Sequence, residues 1–175
     1  LFLFFGWFRE VERYRRRWRY RPGSPDLHLL FGWLQVGDTV HLDSAAAPAP
    51  WATHVHCQRR FAGGNQLYIA ADAVVFGDRQ LSPHGGGCWT HVTDARTLTR
   101  PGASRSHWRL PGDFLPIETH QGIDCLSCHT RPERWRRRGA QCDLHLVPRG
   151  QEFVLDCTRR PGVLTWLETV FASDR

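Results

Sequence analysis

One apolar motif occurs twice early in the chain: Phe4-Phe5-Gly6-Trp7-Phe8 recurs as Leu30-Phe31-Gly32-Trp33-Leu34. Each copy is an unbroken run of apolar residues, the pattern of a strand covered on both faces. The repeat therefore predicts two neighbouring central strands. The Gly in each copy lets another backbone or a ligand approach closely. Two copies are too few for a solenoid.

The rest of the chain supplies further strands and little helix. Gln66 to Ala70 reads as a strand after a Gly63-Gly64-Asn65 turn. Cys142 to Val147 and Glu152 to Cys157 read as two strands, with Pro148-Arg149-Gly150 as a hairpin turn between them. Pro132 to Arg138 reads as a short basic helix. A closing helix starts at Pro161, with Val163, Leu164, Leu167, Val170 and Phe171 on one side. The expected class is α+β: a mixed sheet with two buried central strands and a C-terminal amphipathic helix. A chain of 175 residues suits one domain with its own core.

The formal net charge is +6, and all 23 basic side chains are Arg. GC-rich coding explains an Arg bias as well as function does, so the charge alone is a soft pointer to an anionic partner. Arg is nonetheless the better phosphate clamp, because its planar fork donates two parallel hydrogen bonds. The densest run lies between the two apolar copies, where Arg15, Arg16 and Arg17 adjoin Trp18, Arg19 and Tyr20. Such a segment is either a solvated connection or an arm in which Arg16 and Arg17 meet phosphates while the rings stack on bases. Arg105 and Arg109, in the segment SRSHWRLP, are either surface ion-pair residues or a second phosphate clamp.

The chain contains no Met and starts inside an apolar run, Leu1 to Phe8. An upstream segment of the same protein is therefore expected to pair with or cover the first strand. No signal-peptide pattern and no membrane-length apolar stretch occurs, so the expected setting is cytoplasmic, without a membrane partner, with the six cysteines reduced.

Several groups carry acid–base or ligand chemistry. His54 and His56 would share one face of a strand and could bind a metal, with His129 or Cys57 as third ligand, or divide acid–base work. The alternative places both in a loop after Pro50-Trp51. Cys125-Leu126-Ser127-Cys128-His129 matches the c-type haem attachment pattern, with His129 as axial ligand. The absence of an export signal argues against haem. No second Cys-x-x-Cys completes a zinc site, so no metal is assigned and the cofactor is left unknown. Arg149, Gln151 and Glu152 run straight into the apolar Phe153-Val154-Leu155, which suits a ligand at a strand mouth. Glu152 is a general-base candidate or the partner of a nearby Arg in a buried pair. Asn65 and Tyr68 are assigned to the same pocket. Walker, dinucleotide-binding, serine-hydrolase and zinc-protease signatures are missing from the sequence.

Read in order, LFLFFGWF, DLHLLFGWLQVGD, a Trp with a His-x-His pair, SRSHWRLP, LSCH followed by RW, RGQEFVLD and the terminal WLETVF resemble the nucleotide modification associated domain of the third type. The similarity covers nearly all of residues 1–175, as the C-terminal portion of a longer family member. It implies association with systems that modify DNA bases, including DNA hypermodification, and assigns no reaction. Family members resemble this chain in the His pair and in the need for the His of the LSCH segment.

Two functional classes follow. In one, His54, His56, His129 and Glu152 form an acid–base site acting on a modified base or nucleotide. In the other, the chain is a non-catalytic Arg/Trp-rich module that binds nucleic acid. A c-type haem protein is a third, weaker alternative.

Overall fold

The computed structural model describes residues 1–42, 46, 50–55, 57–58, 63–147 and 152–172. Among the described residues short strands dominate, followed by one α-helix. The strands are β1 (Phe2–Phe8), β2 (Val11–Tyr14), β3 (Arg17–Tyr20), β4 (Leu27–Leu34), β5 (Val36–His41), β6 (Gln66–Ala70), β7 (Val74–Phe76), β8 (Arg79–Ser82), β9 (Gly86–Cys88), β10 (His107–Pro111), β11 (Ile117–Thr119), β12 (Gly122–Asp124), β13 (Trp135–Arg138) and β14 (Gln141–His145). The helix is α1 (Pro161–Ala172). This mostly-β architecture with a terminal helix fits the broad α+β class.

The chain divides into two compact units, Leu1–Leu3 with Gly32–Cys88 and Phe4–Phe31 with Trp89–Arg175. In the first unit β5 pairs antiparallel with β6, β7 with β8, and the Gly32–Leu34 end of β4 with β9. Gln35 donates its N–H to Gly85 and accepts from Ala71, which ties these pairs together.

In the second unit a ladder runs from β4 through residues 97–99 to β10, then β14 and β13. Leu98 donates to His28, Arg109 donates to Leu98, and β14 is paired antiparallel on both edges, by β10 and by β13. One face of this ladder is apolar: Trp108, Leu110, Cys142, Leu144 and Trp135 are all buried. Burying the Cys142 thiol pushes its pKa up to about 12, so it is an inert core residue. In α1, Val163, Leu167 and Val170 are buried while Thr165 and Thr169 face water. Trp166 meets the Phe114 ring edge-on at 5.2 Å. Arg160, fully buried just before α1, donates to the carbonyls of Asp113, Leu115 and Asp124 and pairs with the Asp124 carboxylate at 3.1 Å.

Several sequence expectations change here. The two copies of the apolar motif do become neighbouring strands, with β4 between β1 and β9. Only β4 is deeply covered, through Leu29, Leu30 and Gly32. In β1, Phe2, Phe4, Trp7 and Phe8 are all exposed. Gly6 packs under side chains: a Cβ there would press on the Phe8 and Phe31 rings at 3.1 and 3.4 Å. The expected strand at residues 152–157 does not form, because both edges of β14 are already occupied. That segment instead exchanges two hydrogen bonds with Ser127, through its N–H and its hydroxyl. The expected basic helix at residues 132–138 reduces to one 3-10 turn, Pro132–Arg134, followed by β13. Burial of Trp135 against β14 selects the extended form there.

Candidate nucleic-acid interface

The residues between the two apolar copies fold back on themselves. β2 and β3 form a two-stranded antiparallel ribbon with Val11 opposite Tyr20 and Tyr14 opposite Arg17. Its two-residue turn is Arg15-Arg16, and both residues are left-handed, at φ 47° and 67°. A turn of this hand matches the twist of the strands but normally recruits Asn-Gly. Two arginines at the tip keep the geometry at a backbone cost of about 1 kcal/mol per residue.

Period-two alternation sorts the ribbon into two faces. Val11, Arg13, Trp18 and Tyr20 lie on one, and Glu12, Tyr14, Arg17 and Arg19 on the other. Trp18 is 72% exposed and Tyr20 62%; the Arg9 guanidinium lies 5.4 Å over the Tyr20 ring, so Trp18 presents the more open stacking surface. On the second face the Arg19 guanidinium lies 3.8 Å over the Tyr14 ring and pairs with Glu12. The Arg15 guanidinium sits at 5.2 Å from the same ring. Arg19 is thereby held by neighbours, while Arg16 and Arg17 extend from the tip into solvent.

Arg105 lies elsewhere in this unit, 4.1 Å over the exposed Trp7 ring and 3.9 Å from the Asp26 carboxylate. Pro25, Asp26 and Ala103 to Ser106 line a surface hollow of about 410 Å³ there. Arg109 is on β10, 3.7 Å from Asp143. The two arginines of SRSHWRLP thus pair with different carboxylates.

The expected acid–base residues occupy different settings. His129 is fully buried. Its Nε2 accepts from the Val147 N–H at 3.3 Å, which leaves Nδ1 to donate to the Ser127 carbonyl at 2.8 Å. Phe153 and Trp135 approach the ring edge-on at 4.7 and 6.4 Å, and the Trp135 indole N–H donates to the His129 carbonyl. Burial lowers the imidazole pKa, against a smaller opposing effect of the Ser127 bond. With both nitrogens engaged by backbone, the ring works as an internal strut. An axial ligand to haem needs the Nε2 lone pair that Val147 takes, so the motif Cys125 to His129 does not fit haem attachment.

Glu152 is exposed, which removes the burial required for an internal Arg–Glu pair. The next residue, Phe153, turns inward and joins an aromatic cluster with Phe5, His28 and Trp108 at 5.0–5.9 Å. In the first unit, His54 is exposed in a turn where its N–H donates to the Trp51 carbonyl, so it is not on a strand. Tyr68, on β6, donates its hydroxyl to Gln66 and packs edge-on against Phe2 at 5.3 Å. Asn65 accepts from the Leu42 N–H. His56, Arg149 and Gln151 lie outside the described residues. Among the described residues no three of His, Cys, Asp and Glu group as a metal-binding set. All six cysteines are free thiols. Among the described residues no helix is long and apolar enough to cross a membrane.

Sequence reading did not single out Asp143, Arg100, Arg138, His107 and His145, which gather on the ladder around Arg109. The signal was present as alternation: His107 and Arg109, Asp143 and His145, and Arg136 and Arg138 are spaced by two in strands with apolar residues between.

The second unit is a β-ladder whose surface carries arginines and exposed aromatic rings, several of them with a guanidinium laid over the ring. The match to the family model of nucleotide modification associated domain 3 spans residues 1–156, and the chain belongs to that family. The family ties it to nucleotide modification systems. No curated protein and no solved structure gives a significant match to the chain.

Proposed function

We propose that this chain is the nucleic-acid-contacting domain of a cytoplasmic DNA-base modification system and that the β2–β3 ribbon is its contact arm. One observation carries the reading: a ribbon with an Arg15-Arg16-Arg17 tip keeps Trp18 and Tyr20 more than half exposed. Exposed rings of this size are costly on a surface without a partner, and arginine beside them supplies the phosphate contacts that orient a strand. Stacking of a base on an aromatic ring contributes about 1–3 kcal/mol, independent of sequence. The arm therefore suits unpaired bases, such as a single strand or a nucleotide displaced from its stack for chemistry. Binding, rather than acid–base catalysis by His129, is the role this geometry supports.

The test is fluorescence titration of a single-stranded oligonucleotide. Trp18→Ala is expected to weaken binding about tenfold at constant salt. Unchanged affinity in that variant, with the fold intact by circular dichroism, contradicts the arm.

A further inference from the structure

We propose that Arg100, Arg109 and Arg138, gathered on Asp143 beside the stacked His107–His145 pair, form a subsite for a phosphate monoester, the group carried by a nucleotide or by the end of a nucleic-acid strand. The subsite uses no residue of the β2–β3 ribbon and does not depend on its role.

The arrangement follows from strand register. His107 stands opposite His145, and Arg109 opposite Asp143, in the β10–β14 pair. Arg136 is opposite Asp143 from the other side, and Arg138 opposite Gln141. Alternation puts all of these on the face opposite Trp108, Leu110, Cys142 and Leu144. Arg100 joins from the preceding segment, where its N–H donates to the His107 carbonyl.

Asp143 is the organising group. Its Oδ2 accepts from Arg100 at 2.9 Å and from Arg138 at 3.2 Å, and its Oδ1 lies 3.7 Å from Arg109. Burial pushes this carboxyl up, but the bonds from Arg100 and Arg138 and the charge of Arg109 outweigh it and hold it below the usual range. One carboxylate cannot balance three guanidinium groups, so the cluster keeps a surplus of two positive charges. The three side chains are 32%, 39% and 45% exposed, so each still offers N–H donors to solvent. Held by a common partner, they converge without the side-chain ordering cost that isolated surface arginines carry. A dianionic phosphate matches the surplus charge and the fork geometry of arginine.

His107 adds proton linkage. The rings are 4.3 Å apart and 5° from parallel, and Ser104 bonds the His107 Nδ1 at 2.9 Å. Burial, then the neighbouring His145 and Arg100, lower the His107 pKa, with Asp143 opposing them. A phosphate placed against this face offsets the repulsion, so binding draws a proton onto His107.

Calorimetry with a deoxynucleoside 5′-monophosphate tests the subsite, with the matching nucleoside as control and two buffers of different ionisation enthalpy. The monophosphate is expected to bind at least about tenfold more tightly than the nucleoside, with net proton uptake that His107→Gln reduces. The double variant Arg109→Gln/Arg138→Gln is expected to lose that preference. Comparing 5′-phosphorylated with 5′-hydroxyl oligonucleotides separates a strand end from a free nucleotide; tighter binding of either phosphorylated probe supports the subsite. Equal affinity for nucleoside and monophosphate, or an unchanged preference in the folded double variant, overturns it. A variant-free check is the ring-proton NMR shifts of His107 and His145 as inorganic phosphate is added; no movement overturns the proposal. Oligonucleotide binding unchanged by Trp18→Ala, with monophosphate binding retained, counts against the arm alone.

Discussion

The Nε2 atom of His129 accepts the Val147 N–H at 3.3 Å, and that contact fixes the tautomer of a fully buried ring. A backbone N–H only donates, so the ring proton resides on Nδ1 and points at the Ser127 carbonyl. His129→Ala removes both bonds and the aromatic contacts, and opens a cavity. The expected loss is about 2–4 kcal/mol of unfolding free energy. Urea melts of the two proteins measure it. A variant as stable as the parent would show that the ring is not a strut.

The same burial makes stability depend on pH. His129 and His28 both have lowered pKa values, for each because burial disfavours the imidazolium, with the Arg105 charge adding to the effect at His28. In the unfolded chain a histidine titrates near about 6.5. The unfolded state therefore takes up protons first as the pH drops. The stabilisation is complete above the unfolded value and is lost as pH falls from there through the folded values. Urea midpoints at pH 7.5 and 5.5 report this directly: the midpoint is expected to be higher at pH 7.5. A midpoint that rises on acidification contradicts neutral burial of these rings.

Much of this architecture is readable from residue patterns, and the failures have physical causes. The FGW repeat correctly marks β1 and β4 as neighbours, because an apolar run reports strand type. It does not report which strand of a sheet lies between two others, so the exposure of Phe2, Phe4 and Trp7 is invisible to it. In SRSHWRLP, Trp108 and Leu110 alternate with polar residues, and β10 forms there. The segment 152–157 carries the apolar run Phe153-Val154-Leu155 but forms no strand, since pairing depends on a free edge that only tertiary structure reveals. The ribbon arginines were legible as a basic aromatic run. The Asp143 cluster was not, because Arg100, Arg109 and Arg138 are brought together by the register of three separate segments.

Gly162 occupies a position set by Asp113. Its N–H, in the first turn of α1, donates to the Asp113 carboxylate at 3.2 Å, and a Cβ at this position would collide with that carboxylate. Gly162→Ala is expected to cost about 1–3 kcal/mol despite the better helix propensity of Ala. Asp113→Ala removes the obstacle along with the acceptor, so the double variant should be more stable than the two single losses added together. Thermal melts of the four proteins form the cycle. Simple additivity would place the strain elsewhere.

The tip of the ribbon sets folding against binding. Arg15 and Arg16 both hold positive φ, which Asn and Gly adopt at lower cost. The double variant Arg15→Asn/Arg16→Gly is expected to stabilise the hairpin by about 1 kcal/mol while weakening nucleic-acid binding. Melting temperature and oligonucleotide affinity should therefore move in opposite directions. If both improve together, the arginines at the tip have no role in binding.

The salt dependence of single-stranded oligonucleotide binding tests the central claim most directly. Each phosphate contact releases about 0.7 counterion from a single strand, so the slope of log affinity against log salt counts the contacts. Arg16→Ala/Arg17→Ala is expected to flatten that slope by about 1.4 and to weaken binding equally for oligonucleotides of different sequence. A slope identical to that of the unmodified protein, or no salt dependence in either, would contradict a ribbon that holds the nucleic-acid backbone.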